Sequence, residues 1–342
     1  MALEGHPIDG SLARWEDVTA ARDDWASLLL GNGLSRHVWG DFGYPTLFDK
    51  ARRNDGSGSL TASDLNLFEA LKTRNFERVL AELASAIRMA EALGQGAEPY
   101  LDRYQSIQRA LGSAVQSVHV NYTGIPEATL AAIGTVMQAQ EYVFTTSYDL
   151  IVYWAMRAVS YRGLCDCFWC DKQSFDPANS DVPSGRTPVY FLHGALHLVV
   201  MGSGVTRKLV HTNLSTLLDQ FGHPVDGDTQ ARSLLITEGS SQHKLQAIEG
   251  NDYLAHGLDQ LGKCDLPLVV FGSDLSEQDQ HLVDALNRNP SRPVAVSIRR
   301  QRKSEKEICA IQASIRAGLD GNPLFFFDSE THPLGLPGLS GK

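Results

Sequence analysis

The chain has 342 residues, 43% of them hydrophobic and 20% charged, with a formal net charge of −10. That length supports one large α/β domain with an insertion, or two domains. The acidic balance disfavours broad attraction to nucleic acid or anionic lipid, so direct nucleic-acid binding is not expected. No apolar stretch reaches the roughly 20 residues of a membrane span, and residues 1–25 are too polar for a secretory signal, which points to the cytoplasm.

Residues 1–23 read as a polar N-terminal extension with one short helix. Leu28-Leu29-Leu30 then form a run typical of a buried strand, and it stops on Gly31-Asn32-Gly33-Leu34-Ser35. A Gly-x-Gly turn lets backbone N–H groups and a helix N-terminus approach a phosphate, and an ordinary tight turn uses the same residues. The dehydrogenase fingerprint needs a third glycine where Arg36 stands and an acidic strand end about 20 residues on. Ala51–Ser59 is instead charged and rich in Gly and Ser, so a hydride-transferring enzyme is disfavoured. Between them, Asp41-Phe42-Gly43-Tyr44-Pro45 reads as a turn whose aromatics pack under the loop or cover a ligand.

From about residue 60 to 140 the periodicity becomes helical. Thr61 or Ser63 caps a helix through Leu65, Leu67, Phe68 and Leu71; a second runs through Val79, Leu83 and Ile87; a third spans Tyr104–Val118; Pro126 opens a fourth through Leu130 and Met137. Four helices without a strand between them break βαβ alternation, and the spacing predicts a helical module inserted after the first strand and packed over the nucleotide site.

Strands resume at Tyr142–Thr146 and Val189–Leu192, with others expected at Leu234–Thr237, Leu268–Phe271, Val294–Ile298 and Leu324–Phe327. Helices are expected over Leu150–Ala158, Ser240–Leu261, Glu277–Asn287 and Ser304–Ala317. The fold class is therefore α/β, a Rossmann-like, mostly parallel sheet with an inserted helical module; residues 24–330 form the domain and 331–342 a tail. Polar motifs fall on the strand ends, where such sheets bind ligands: Gly31-Asn32-Gly33, Thr145 to Asp149, His193-Gly194, Thr237-Glu238-Gly239 and Gly272-Ser273. Ser and Asp at these places also serve as helix caps. Cys165, Cys167 and Cys170 have the spacing of three zinc thiolates, but no second knuckle supplies a fourth ligand, so free thiols and no metal are expected. The crowded cations Arg299, Arg300, Arg302, Lys303 and Lys306 read either as a local basic patch or as a solvated helix start.

The order of these motifs resembles the sirtuin family, and more closely the bacterial sirtuin-like domains of anti-phage defence systems. Gly31-Asn32-Gly33-Leu34-Ser35 is similar to the family's Gly-Ala-Gly opening, Asp41-Phe42 to its Asp-Phe, Thr145-Thr146-Ser147-Tyr148-Asp149 to its Thr-x-Asn-x-Asp strand end, His193-Gly194 to its His-Gly, and Gly272-Ser273-Asp274-Leu275 to its Gly-Thr-Ser-Leu. Ser297 lies where the family contacts the adenosine half of NAD. The resemblance implies NAD as substrate, His193 as base, Ser147 at the position of the catalytic Asn, and contacts to NAD from Gly31 to Ser35, Phe42, Thr145, Thr146, Asp149, Gly272, Ser273 and Ser297. A zinc ribbon after the His-Gly is absent, which favours an NAD glycohydrolase over a protein deacylase. Ser147 is shorter than Asn and has a single hydroxyl, so the resemblance implies a slowed or inactive copy that still binds NAD. It also implies a homo-oligomer or a defence partner such as a helicase-like ATPase or an Argonaute-type protein.

The chemistry fits the residues. Cleavage of the nicotinamide–ribose bond passes through an oxocarbenium-like state with a good leaving group, so it needs a base and a dry cleft more than an acid. A His on a strand end is suited to the base role at neutral pH, and also to a hydrogen-bonded core position. His197 raises a His-x-x-x-His metal pair that lacks a third ligand. For Asp149 a ribose contact and a cap are both open. A binding module for NAD or ADP-ribose, and an α/β hydrolase or transferase for another nucleotide, are the competing readings.

Overall fold

A computed structural model describes residues 6–42, 44–53, 58–170, 173–210, 225–228, 231–236, 241–319 and 321–340. In chain order the helices and strands begin with α1 (Trp15–Ala21), β1 (Ser27–Leu30), α2 (Asn32–Val38), α3 (Tyr44–Arg53), α4 (Ala62–Ala70), α5 (Phe76–Ala92), α6 (Glu98–Val118) and α7 (Glu127–Gln138). They continue with β2 (Tyr142–Thr145), α8 (Ile151–Ala158), β3 (Leu164–Cys165), β4 (Thr187–Phe191), β5 (Gly194–Val200), β6 (Thr206–Lys208) and β7 (Arg232–Leu235). Last come α9 (Ser241–Glu249), α10 (Asp252–Lys263), β8 (Leu268–Phe271), α11 (Gln280–Leu286), β9 (Val294–Ile298), α12 (Glu305–Gly318) and β10 (Leu324–Asp328). No helix among the described residues is long and apolar enough to cross a membrane.

Seven strands form a parallel sheet in the order β10-β9-β8-β1-β2-β4-β3. The fold is thus α/β and Rossmann-like with an inserted helical module. Every residue of β1 is buried, as expected for a strand covered on both faces, which is why it reads as an uninterrupted apolar run. The chain winds outward from β1 through β2 and β4, then returns to place β8 on the other side of β1. At such a reversal the connecting loops diverge and leave a crevice at the C-terminal strand ends.

The strand expected at Leu234–Thr237 does not join this sheet. It is β7, an antiparallel partner of β5 in a separate sheet of order β6-β5-β7, and Thr237-Glu238-Gly239-Ser240 lies outside the described residues. Gly194 makes the second sheet possible: its φ of +75° turns the chain directly after His193, and a Cβ there would collide with the Leu234 carbonyl oxygen. Lys208 of β6 clamps the small sheet to the edge of the large one through a 2.7 Å ion pair with Asp166, both side chains being buried. The desolvation cost of such a buried pair offsets much of its attraction, while removing one partner alone would leave an uncompensated buried charge.

The helix expected over Ser240–Leu261 is two helices, α9 and α10, because the Asn251 side chain accepts the Leu254 N–H at 3.1 Å and starts a new helix. The helical module begins earlier than expected, since Tyr44-Pro45 opens α3 where the sequence suggested a turn; Pro is tolerated in a first helical turn. Phe48, Phe68 and Phe76 pack with ring centroids 5.0 and 5.1 Å apart, while buried Asp64 binds Arg103 and Ser106 and so ties α4 to α6. No residue of 60–140 lines the cleft described below, so the expected cover over the site is not formed by the described residues.

Near the C-terminus of the chain, His332 is buried against Trp15 and Phe271, with ring centroids at 4.5 and 5.1 Å, and its Nδ1 accepts the Leu334 N–H at 3.1 Å. That bond requires a neutral ring, and burial pushes its pKa down to about 3. An unfolded histidine titrates near about 6.5, so below that pH the unfolded chain takes up a proton that the folded chain refuses. Stability from this group is complete above pH ~6.5 and is lost as the pH falls, by about 2 kcal/mol at pH 5. Denaturation midpoints at pH 7 and pH 5 check this: His332→Phe is expected to have a flatter pH dependence than the native chain, and an equal slope would contradict it.

Candidate functional site

The site is built where β1 and β8 end side by side. The Gly31 N–H donates to the Phe271 carbonyl and the Gly33 N–H to the Gly272 carbonyl, both at 2.8 Å, and Leu34 N–H turns back to the Gly31 carbonyl at 3.1 Å. The two turns approach so closely that a Cβ on Gly33 would lie 2.6 Å from the Gly272 Cα, and one on Gly272 would lie 2.6 Å from the Leu34 nitrogen. The glycines are therefore required first by this backbone junction. The Gly33 and Leu34 amides, expected to cradle a pyrophosphate, are committed to protein carbonyls. Ser297, on β9, fixes the second turn by accepting the Gly272 N–H at 3.0 Å, and Ser273 accepts the Leu275 N–H at 3.2 Å. Leu275 takes a φ of +46°, a conformation costly for a branched residue and typical of a loop whose shape matters.

Around this junction opens a cleft of about 980 Å³. Gly31, Asn32, Gly33, Thr146, Ser147, His193, Gly272, Ser273 and Ser297 all line it, so residues as distant in sequence as 31 and 297 share one cleft. Leu34, Ser35, Thr145 and Asp149 do not line it; they are buried behind its wall. Ser35 Oγ lies 3.4 Å from Ser147 Oγ, Thr145 Oγ1 accepts the Ser147 N–H at 3.2 Å, and Asp149 Oδ1 accepts the Ile151 N–H at 2.9 Å at the start of α8. Asp149 thus holds the first N–H of α8 from one residue ahead of the N-cap position, Leu150. Buried His119 props the same loop, its Nδ1–H donating to the Val120 carbonyl at 2.8 Å so that Nε2 accepts the Leu150 N–H at 2.9 Å. The side chain of Phe42 lies outside the described residues.

His193 is 5% exposed and its Nε2 meets His281 Nε2 at 2.9 Å. Burial, then the Lys244 ammonium and His281, hold its pKa well below the usual imidazole range, so the ring is neutral at pH 7. His281 is likewise pushed down to about 4, chiefly by burial, with Asp279 opposing the shift. Lys244 Nζ bonds Asp279 Oδ1 at 3.0 Å, and Lys244 and Asp279 also line the cleft. Donor atoms of His193, Asp279 and His281 lie within 4.8 Å of one another, the donor types of a metal site where the sequence led us to expect none. His197 is not in that group: its ring is fully buried and stacked 4.4 Å from Tyr153.

Arg299, Arg302 and Lys303 line the cleft beside Glu307 and Glu330, with Arg299 Nε 3.7 Å from Glu330 Oε1, while Ser304 accepts the Glu307 N–H at 3.3 Å and caps α12, so the basic stretch both lines the cleft and starts a helix. No cysteine is in a disulfide; Cys165 and Cys167 are buried, where burial pushes their pKa values up to about 11 and about 12. Phe168 is buried between Phe175 and Tyr253, whereas Trp169 is half-buried with its Nε1–H donating to the Asn179 carbonyl.

Sequence reasoning missed His281, Lys244 and Asp279. None has a motif spacing to His193; the one available signal was that Asp279 and His281 follow the Gly272-Ser273 strand end, where ligand-binding loops gather.

A profile of the family described as "Domain of unknown function (DUF4917)" matches residues 28–334. No curated protein matches. A solved structure described as "Structural Basis for the Mechanism and Regulation of Sir2 Enzymes" aligns over 95% of this chain and 94% of its own length, at 12% identity and a TM-score of 0.40.

Proposed function

The chain belongs to the DUF4917 family, and from the residues of its own cleft we propose that it binds NAD there and hydrolyses the bond between nicotinamide and ribose. The observation that carries the proposal is the placement of a neutral, buried His193 in the same cleft as the Gly31–Gly33 and Gly272–Ser273 turns, at the reversal of strand order. Arg302 and Lys303 provide the positive charge that a pyrophosphate needs, Arg299 being shared with Glu330, and Asn32, Thr146 and Ser273 provide polar side chains for ribose hydroxyls. Leu34, Ser35, Thr145 and Asp149 act from behind, by fixing the loops that carry these groups. His193 takes the proton of the attacking water. The leaving nicotinamide is neutral once its bond has broken, so no acid is required on that side.

Ser147 favours a second reading, a binder of NAD or ADP-ribose with little turnover. Its hydroxyl is buried and faces Ser35 Oγ at 3.4 Å, and it reaches less far into the cleft than an Asn amide would. Incubation of the full chain with NAD tests both, with nicotinamide and ADP-ribose quantified. Equal amounts of the two products are expected, rising at least about tenfold in Ser147→Asn, within the range of a positioned polar group. Saturable NAD binding with no product from either form would select the binder, and no binding would remove both readings. In cells the activity would drain NAD, the setting implied by the motif order being phage infection; NAD levels in infected cells carrying the native chain or His193→Ala measure it.

A further inference from the structure

We propose that His281 and Ser241 are positioning residues that hold His193 in the one tautomer able to serve as base, with Nε2–H turned inward to His281 and Nδ1 bare toward the cleft. This rests on the function proposed above for the same site.

The chain of contacts is His193 Nε2 to His281 Nε2 at 2.9 Å, then His281 Nδ1 to Ser241 Oγ at 3.0 Å. The same Ser241 oxygen accepts the His281 backbone N–H at 2.6 Å. Two neutral imidazoles in contact share a single hydrogen, so the state of one ring dictates that of the other. A hydroxyl oxygen has two acceptor positions, and His281 can fill both, with its backbone N–H and its Nδ1–H. His281 Nε2 is then bare and accepts the His193 Nε2–H, which leaves His193 Nδ1 with its lone pair. In the reverse polarity Ser241 donates to His281 Nδ1, His281 donates to His193 Nε2, and the His193 proton moves to Nδ1, which makes the ring a donor facing substrate. Among the described residues His193 Nδ1 has no protein partner, and the ring lines the cleft. A base oriented by a second residue that is itself oriented by a third is the general logic of activated active-site histidines.

The step balances. The water O–H bond breaks and its oxygen bonds the ribose carbon; the proton goes to His193 Nδ1, and the electron pair of the broken glycosidic bond goes to nicotinamide. The imidazolium keeps its Nε2–H on His281 until the Nδ1 proton passes to solvent.

Asp279 could make the same cluster a cation site, but Lys244 Nζ already sits 3.0 Å from Asp279 Oδ1 and supplies the positive charge. A bound metal is therefore an outcome that would overturn the proposal.

The test is nitrogen-resolved NMR of the histidine rings in the full native chain, with His193 assigned by His193→Gln, beside steady-state kinetics of His281→Ala, His281→Gln and Ser241→Ala. A bare Nδ1 on His193 is expected in the native chain and a tautomer mixture in His281→Ala. We expect kcat to fall about 100-fold in His281→Ala with KM within about threefold, to recover at least about tenfold in His281→Gln, whose amide oxygen can accept the Nε2–H, and to fall less in Ser241→Ala. An Nδ1–H tautomer in the native chain, a Gln variant no better than Ala, or stoichiometric metal whose chelation changes the ring spectrum would overturn the proposal. If the tautomers behave as expected and no form releases nicotinamide, the positioning chain stands and the hydrolase reading falls.

Discussion

Gly272→Ala is expected to lower the unfolding free energy by about 2–4 kcal/mol and to pull the two halves of the cleft floor apart. Two costs combine. The residue has a φ of +77°, where a Cβ meets its own backbone, and the added methyl would also lie 2.6 Å from the Leu34 nitrogen, in the turn that receives β1. Relief would have to come from separating the turns, which breaks the Gly33 N–H to Gly272 carbonyl bond that joins them at 2.8 Å. Gly94 provides the control, since its φ of +65° carries the first cost while no atom within 4 Å imposes the second. Gly94→Ala is expected to cost only about 1–2 kcal/mol. Denaturant midpoints with unchanged m-values measure the difference, and equal losses would show that close approach is not what Gly272 provides.

The junction also explains which parts of this protein are legible in its sequence. Leu28–Leu30 and Val294–Ile298 are strands buried on both faces, so their apolar runs and glycine or polar stops are readable without knowledge of neighbours. The helices of the insertion are readable because each buries one stripe, as α6 does through Ile107, Leu111, Ala114 and Val118. Strands β5 and β6 were not legible. Gly194–Val200 is apolar except for His197 and could continue any element, and what makes it a strand of a second sheet is the positive φ at Gly194 together with pairing to a segment far along the chain.

The site divides in the same way. His193 and the glycine turns are visible because local chain geometry demands glycine or a strand end beside them. The groups that give His193 its environment come from α9, α11 and the loop before α11, brought in by tertiary packing alone, and 88 residues separate the two paired histidines. The Gly-x-Gly turn shows how a readable motif can carry an additional physical reason: its small residues admit the neighbouring backbone as well as any ligand.

The account as a whole depends on His193 facing a dinucleotide in the cleft. The direct measurement is nicotinamide release from NAD by the native chain and by His193→Ala, with NAD affinity determined by calorimetry on both. The account predicts a loss of rate of about 10²–10⁴-fold, the usual contribution of a positioned base, with affinity changed by less than about tenfold. Equal rates in the two proteins, with both binding NAD, would contradict it.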